Sequence, residues 1–195
     1  MKYTITRRGD LPVNVWSGGK TTQLFLYPPE SSYERRDFFV RVSSATVEQE
    51  TSVFTSLPGF RRILMPLTGP LKLVYDGHGE ALIQPFEAAE FDGGWHTVSY
   101  GKCTDIGIML ADGWQGSLSA AGAGTYTCGS GFTGVYALAD TVTIDARAGG
   151  ETARECLNPG DFFLMEAPPP DTVLNLSMNA PRGAVIARTI TDCPK

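Results

Sequence analysis

Apolar residues fall along this chain in short runs of four to nine, each closed by Gly, Pro, Asn or Asp. The plainest are 38–46, 63–68, 71–75, 134–139, 142–146, 162–165, 173–177 and 184–189. Runs of this length between turn signals predict strands rather than helices. The one stretch of helix-permissive composition, 118–123, is too short for more than a turn or a single helical turn. Regularly spaced short strands predict an all-β sandwich or barrel. The runs form two groups, 1–111 and 132–195. Between them 112–131, rich in Gly, Ser and Ala, reads as a connector. The halves do not repeat one another as sequence, so their division is an architectural expectation.

Two runs carry arginine among apolar neighbours. Alternation over 39–45 puts Phe39, Arg41, Ser43 and Ala45 on one face and Val40, Val42 and Ser44 on the other. If the valines face a packed core, Arg41 faces solvent; in a barrel, Arg41 can face the lumen. The pattern alone leaves both open. After the turn signal Pro58-Gly59, the same alternation groups Arg61 with Ile63, Met65 and Leu67. An arginine on an apolar face is costly unless paired, and its guanidinium is the usual bidentate partner of a carboxylate. Arg61 is therefore the expected centre of a small anion site, with a surface position or an internal salt bridge as the plainer alternative.

Composition narrows the class. Gly (22) and Pro (13) are abundant, which suits many turns and argues against a helical bundle. A net charge of -5 argues against nucleic acid as a partner. No apolar run is long enough for a helical membrane span, and the N-terminus has no signal-peptide pattern, so a cytoplasmic protein is expected. Cys103, Cys128, Cys156 and Cys193 are far apart with no CxxC, which predicts free thiols rather than a zinc site. Histidine occurs only at 78 and 96.

Two further clusters have the residue types of a site. In Trp16-Ser-Gly-Gly-Lys-Thr-Thr-Gln23, two glycines free the backbone to turn N–H groups toward a common point, with Lys20 and Thr21 adding donors. The P-loop spacing is absent. In Phe91-Asp-Gly-Gly-Trp-His96, Asp92 and His96 could form an acid/base pair beside Trp95. A glycine turn and a surface histidine are the structural alternatives.

Taken in order, Trp16–Leu24, Phe39–Glu48, Ser52–Arg61, Phe91–Trp95 and Asp105-Ile-Gly-Ile-Met109 resemble the HutD/Ves family. The likeness covers about residues 10–111; the second half matches only in β character. It implies a bicupin, two double-stranded β-helix barrels in one chain, found with bacterial histidine-utilisation genes and thought to bind a small ligand. Two departures from the family pattern stand out. Lys20 occupies a position usually small, and Gly107 stands where the family has asparagine. The metal cupins carry an HxH motif that this chain lacks. In the later cupin motif spacing, Asp171 falls where a histidine would stand. Two separated histidines cannot supply three facial imidazoles, so no metal and no cofactor are expected.

These readings favour a binding protein for a small anionic metabolite, such as a formyl- or formimino-glutamate, that moderates histidine utilisation. Arg61 and Arg41 would hold the carboxylate, and Ser43, Ser52 and Thr21 would orient it. Lys20, Trp16, Trp95 and His96 complete the expected ligand-binding set. A metal-independent enzyme using Asp92 and His96, with Cys103 as an available thiol, is the competing class; a structural bicupin without ligand is the third. Neither nucleic acid nor membrane is an expected partner, and a homodimer is left open.

Overall fold

A computed structural model describes residues 1–191. Its strands in chain order are β1 Tyr3–Thr6, β2 Val13–Trp16, β3 Gly19–Tyr27, β4 Val40–Val47, β5 Thr51–Val53, β6 Phe60–Pro66 and β7 Leu71–Tyr75. They continue with β8 Gly79–Ile83, β9 Ala89–Asp92, β10 Thr97–Tyr100, β11 Cys103–Ala111, β12 Trp114–Ala121 and β13 Gly124–Thr127. The last six are β14 Phe132–Ala137, β15 Val142–Ala148, β16 Glu151–Leu157, β17 Phe162–Glu166, β18 Val173–Ser177 and β19 Ala184–Thr191. Among the described residues the one helical element is a 3-10 turn, Arg8–Asp10. The all-β expectation holds.

The strands divide into two compact units, 12–114 and a second made of 1–11 with 115–195. In unit 12–114, a six-stranded sheet runs β2-β3-β4-β11-β6-β9 and a four-stranded sheet runs β5-β10-β7-β8. Their pairings are antiparallel. Leu64, Leu71, Leu73, Tyr75, Ile83, Phe91 and Cys103 form a buried cluster there.

In the other unit a five-stranded sheet runs β1-β17-β14-β19-β12 and a four-stranded sheet runs β13-β18-β15-β16. Val135, Ile144, Leu157, Phe163, Met165, Leu174 and Ile186 are among its core residues. Here the hairpin Ala148↔Glu151 turns on Gly149 and Gly150, both at positive φ (55° and 85°), the signature of a type I′ turn.

The bounds of the units differ from those the sequence suggests. Tyr3–Thr6 pairs with Phe162–Met165, so the N-terminal strand belongs with the second half of the chain. Segment 112–131 is not a bare connector, since it contains β12 and β13. Residues 118–121 within it are strand rather than a helical turn. Small residues permit either geometry, and pairing within a sheet decides. Cys103, Cys128 and Cys156 are free thiols; Cys193 lies outside the described residues.

Candidate functional site

The central strands of the six-stranded sheet are buried on both faces. Val40, Val42, Ile106, Ile108, Leu110, Ile63 and Met65 belong to one face, each exposed by 5% or less. The alternate residues line a cavity of about 340 Å³ between the two sheets of unit 12–114. Arg41, Ser43 and Ala45 come from β4, Asp105, Gly107 and Met109 from β11, and Arg62 and Leu64 from β6. Asn14, Trp16, Thr21, Ser52, Phe54, Thr55, Leu71 and Ser99 also line it, as does Tyr33 from the loop before β4.

Arg41 thus faces the cavity, the second of the two orientations its sequence pattern allowed. Its Nε donates to Gln23 Oε1 and its Nη1 to Ser43 Oγ, both at 3.2 Å, and its guanidinium carbon lies 4.5 Å from the centre of the Tyr33 ring. Arg62 is buried too. Its Nη2 donates to the carbonyl of Thr55, its guanidinium carbon is 5.4 Å from the Phe54 ring centre, and its Nε has no hydrogen-bond partner among the described residues. Neither arginine forms an ion pair with a described carboxylate. Burial lowers the pKa of both guanidiniums; Tyr33 and then Glu34 oppose the shift at Arg41, while at Arg62 Tyr33 opposes it and Arg41 adds to the lowering. An arginine nevertheless stays charged. The cavity therefore holds two cations with no direct ion-pair partner among the described residues, Glu34 acting on Arg41 only through space.

Asp105 lines the same cavity and is 6% exposed. Burial pushes its carboxyl up to about 7, against one backbone N–H from Ala45 that favours the charged form. Cys103, two residues earlier, is buried; burial and the neighbouring Asp105 push its thiol up to about 12. Both effects favour its neutral thiol form.

The inward arginine expected at position 61 is at position 62. Pro58 and Gly59 (φ 81°) build a type II turn closed by Phe60 N–H to the Leu57 carbonyl at 3.3 Å. The strand then starts so that Arg61 points outward and pairs with Glu90 at 3.2 Å, both side chains 51% exposed. Ile63 and Met65 do share its face, but burial of that face begins after Arg61. A strand covered on both sides loses the alternation that would have identified the inward residue.

Of the other expected residues, the cavity gathers Arg41, Ser43, Ser52, Thr21 and Trp16. Lys20 is exposed. Trp95 lies outside the lining and stacks on His78, ring centres 4.3 Å apart and planes 7° apart. His96 is exposed, and Asp92 Oδ1 accepts the N–H of Gly94 at 2.7 Å within its own turn. Neither lines the cavity. The glycine pair after Trp16 also has a different reason from N–H presentation. A Cβ on Gly18 would stand 2.0 Å from the Trp16 ring, and one on Gly19 (φ 150°) 1.9 Å from the Thr46 carbonyl oxygen. Trp16 folds over Gly18 and donates from Nε1 to Thr21 Oγ1 at 3.2 Å. Sequence reading missed Arg62, Asp105, Tyr33, Phe54 and Ser99. An acid inside the apolar strand of 103–111 was the one available signal for Asp105.

Solved structures place this architecture. PA5104 from Pseudomonas aeruginosa PAO1, a conserved protein of unknown function, superposes with a TM-score of 0.82 at 21% identity, over 98% of this chain and 100% of that one. HutD from Pseudomonas fluorescens SBW25 gives 0.76 at 17%, over 98% and 100%. Oxalate decarboxylase of Bacillus subtilis, a cupin studied for its Mn(II) centres, gives 0.63 at 5%, over 98% and 78%. Among the described residues no three His, Cys, Asp or Glu side chains come together as a metal would need, and the lining of the cavity includes one described carboxyl, Asp105, and two guanidiniums. No curated protein sequence matches the chain. The HutD family model matches residues 8–184, and the chain belongs to the HutD family.

Proposed function

We propose that this protein binds a small carboxylate metabolite in the cavity of unit 12–114, acting as a binding protein in the cytoplasm. One observation carries the reading: Arg41 and Arg62 are 7% and 5% exposed, share one cavity, and have no ion pair with a described carboxylate. Burying two like charges is unfavourable unless something offsets them, and an entering carboxylate does so with charge-assisted hydrogen bonds. The unpartnered Arg62 Nε is a donor free to make one. Ser43, Ser52, Thr21 and Ser99 supply neutral hydrogen-bonding groups, and Phe54, Leu64 and Met109 supply apolar walls. HutD membership suggests histidine utilisation as the setting, with formyl- and formimino-glutamate as the first ligands to screen.

The test is a thermal-shift screen of small mono- and dicarboxylates, with and without EDTA. A ligand at 100 times its Kd adds about 2.7 kcal/mol of stability. A carboxylate that raises Tm equally in both conditions supports the reading. No shift with any carboxylate, or a shift abolished by EDTA, contradicts it.

A further inference from the structure

Resting on the anion-site reading above, we propose that the cavity selects ligands with two unlike ends: an anionic group held by Arg41 and Arg62, and an ammonium- or amidinium-type N–H donor held by Asp105. The geometry is set by one strand. On β11, Met109 stands opposite Arg41 of β4 and Arg62 of β6. Asp105 lies four residues earlier on the same strand face, opposite Ala45 and Pro66. At the usual strand rise, Asp105 and Met109 are about 14 Å apart at Cα. The strand positions that carry the charges are thus separated along β11, although Arg41 Nη1 reaches back to Ser43, the residue opposite Gly107.

Between them stands Gly107, opposite Ser43 and Leu64. A Cβ there would meet only Leu64 Cδ1 at 3.5 Å and the Ile63 carbonyl at 3.7 Å, ordinary contacts. The cavity floor at this point carries no side chain, so a ligand's middle can lie across it.

Among the described residues Asp105 is the one acid that lines the cavity, and it forms no ion pair with a described cation. The protein gives its carboxyl one backbone N–H, from Ala45. A carboxylate has room for several donors, and leaving it buried without them is costly. A ligand cation or N–H at this end fills that deficit as a ligand carboxylate fills the other. The rival is a protonated Asp105 donating to a ligand oxygen.

Three series of probes decide it: ω-amino carboxylates (4-aminobutanoate to 6-aminohexanoate), the methyl-terminated fatty acids of matched length, and the matched dicarboxylates. Kd is measured by calorimetry at pH 8 for wild type, Asp105→Asn and Arg62→Met. The best amino-terminated probe is expected to bind wild type about tenfold or more tighter than its methyl-terminated match. Asp105→Asn should reduce that ratio to near unity, and Arg62→Met should weaken all three series. Equal affinity of the amino and methyl series in wild type, with binding still dependent on Arg62, overturns this inference and leaves the anion site standing. Tightest binding by the dicarboxylates does the same and favours the rival. No binding in any series at any length, or binding indifferent to Arg62, overturns the anion-site reading and this inference together. Should Asp105→Asn fail to fold, the wild-type ratio alone decides.

Discussion

Arg41 and Arg62 lie on the two strands that flank β11, and both stand opposite the same residue, Met109. Two buried cations are thus fixed on either side of one apolar side chain. Arg41 is held by Gln23 and Ser43, and Arg62 by the Thr55 carbonyl. Each also faces an aromatic ring, Tyr33 or Phe54. Neutral oxygens and ring faces orient a guanidinium without cancelling its charge, and Glu34, which acts on Arg41 through space, makes no ion-pair contact with it.

The adjacent arginines give a paired test of the site. Arg62→Met should weaken carboxylate binding by about 2–5 kcal/mol, since it removes one side of a buried charge pair. Arg61→Met should leave binding unchanged and cost at most about 1 kcal/mol of stability, the value of an exposed pair such as Arg61–Glu90. Titration of both variants with one carboxylate checks this, and loss of binding in the position-61 variant alone would reverse the assignment.

Asp105 should make stability fall as pH rises. Its folded pKa, raised to about 7 from 3.8, means the folded state holds a proton that the unfolded state has released. Its contribution is present below about pH 4 and is lost as pH rises through about 7. Asp105→Asn should remove that dependence and gain up to about 4 kcal/mol at pH 8. Denaturant melts of both proteins from pH 4 to 8 check it; a constant difference between them contradicts it.

Asp161 should behave in the opposite sense. It is 3% exposed and accepts from Arg7 Nη1 at 2.7 Å and from the N–H groups of Arg8 and Asn158, both at 2.9 Å. Burial pushes its carboxyl up, but these donors outweigh burial and the net shift is downward. Its contribution is present above the usual carboxylate range and is lost as pH falls through about 4 toward the folded value. Asp161→Asn should cost about 2–3 kcal/mol near neutrality. The cost should shrink in acid, and denaturant melts at pH 7 and pH 3 show whether it does.

Gly18 is expected to matter through Trp16. An alanine there must displace the indole that it would otherwise overlap, and with it the Trp16–Thr21 hydrogen bond on the cavity wall. Gly18→Ala should lower stability by about 1–3 kcal/mol and weaken carboxylate binding. Tryptophan emission together with a binding titration tests this; wild-type values in both would show that the ring has another place to go.

Local chemistry determined a good deal of this protein from sequence alone. Turn residues and apolar runs placed most strands, because a Pro58-Gly59 turn or a short β-branched run acts within a few residues. Of the residues that the motifs single out, the cavity lining includes Arg41, Ser43, Ser52, Thr21 and Trp16 but not Arg61, Lys20, Trp95 or His96. Contacts between distant segments decided the rest. The pairing of Tyr3–Thr6 with Phe162–Met165, and the use of 114–121 as a sheet strand, depend on partners far away in sequence. Which arginine of the adjacent pair points inward depended on burial of β6 from both sides, which erases its period-two pattern. Asp105 acquired its properties only when two sheets closed over it, since a carboxyl's pKa reflects the water and donors around it rather than its neighbours in sequence.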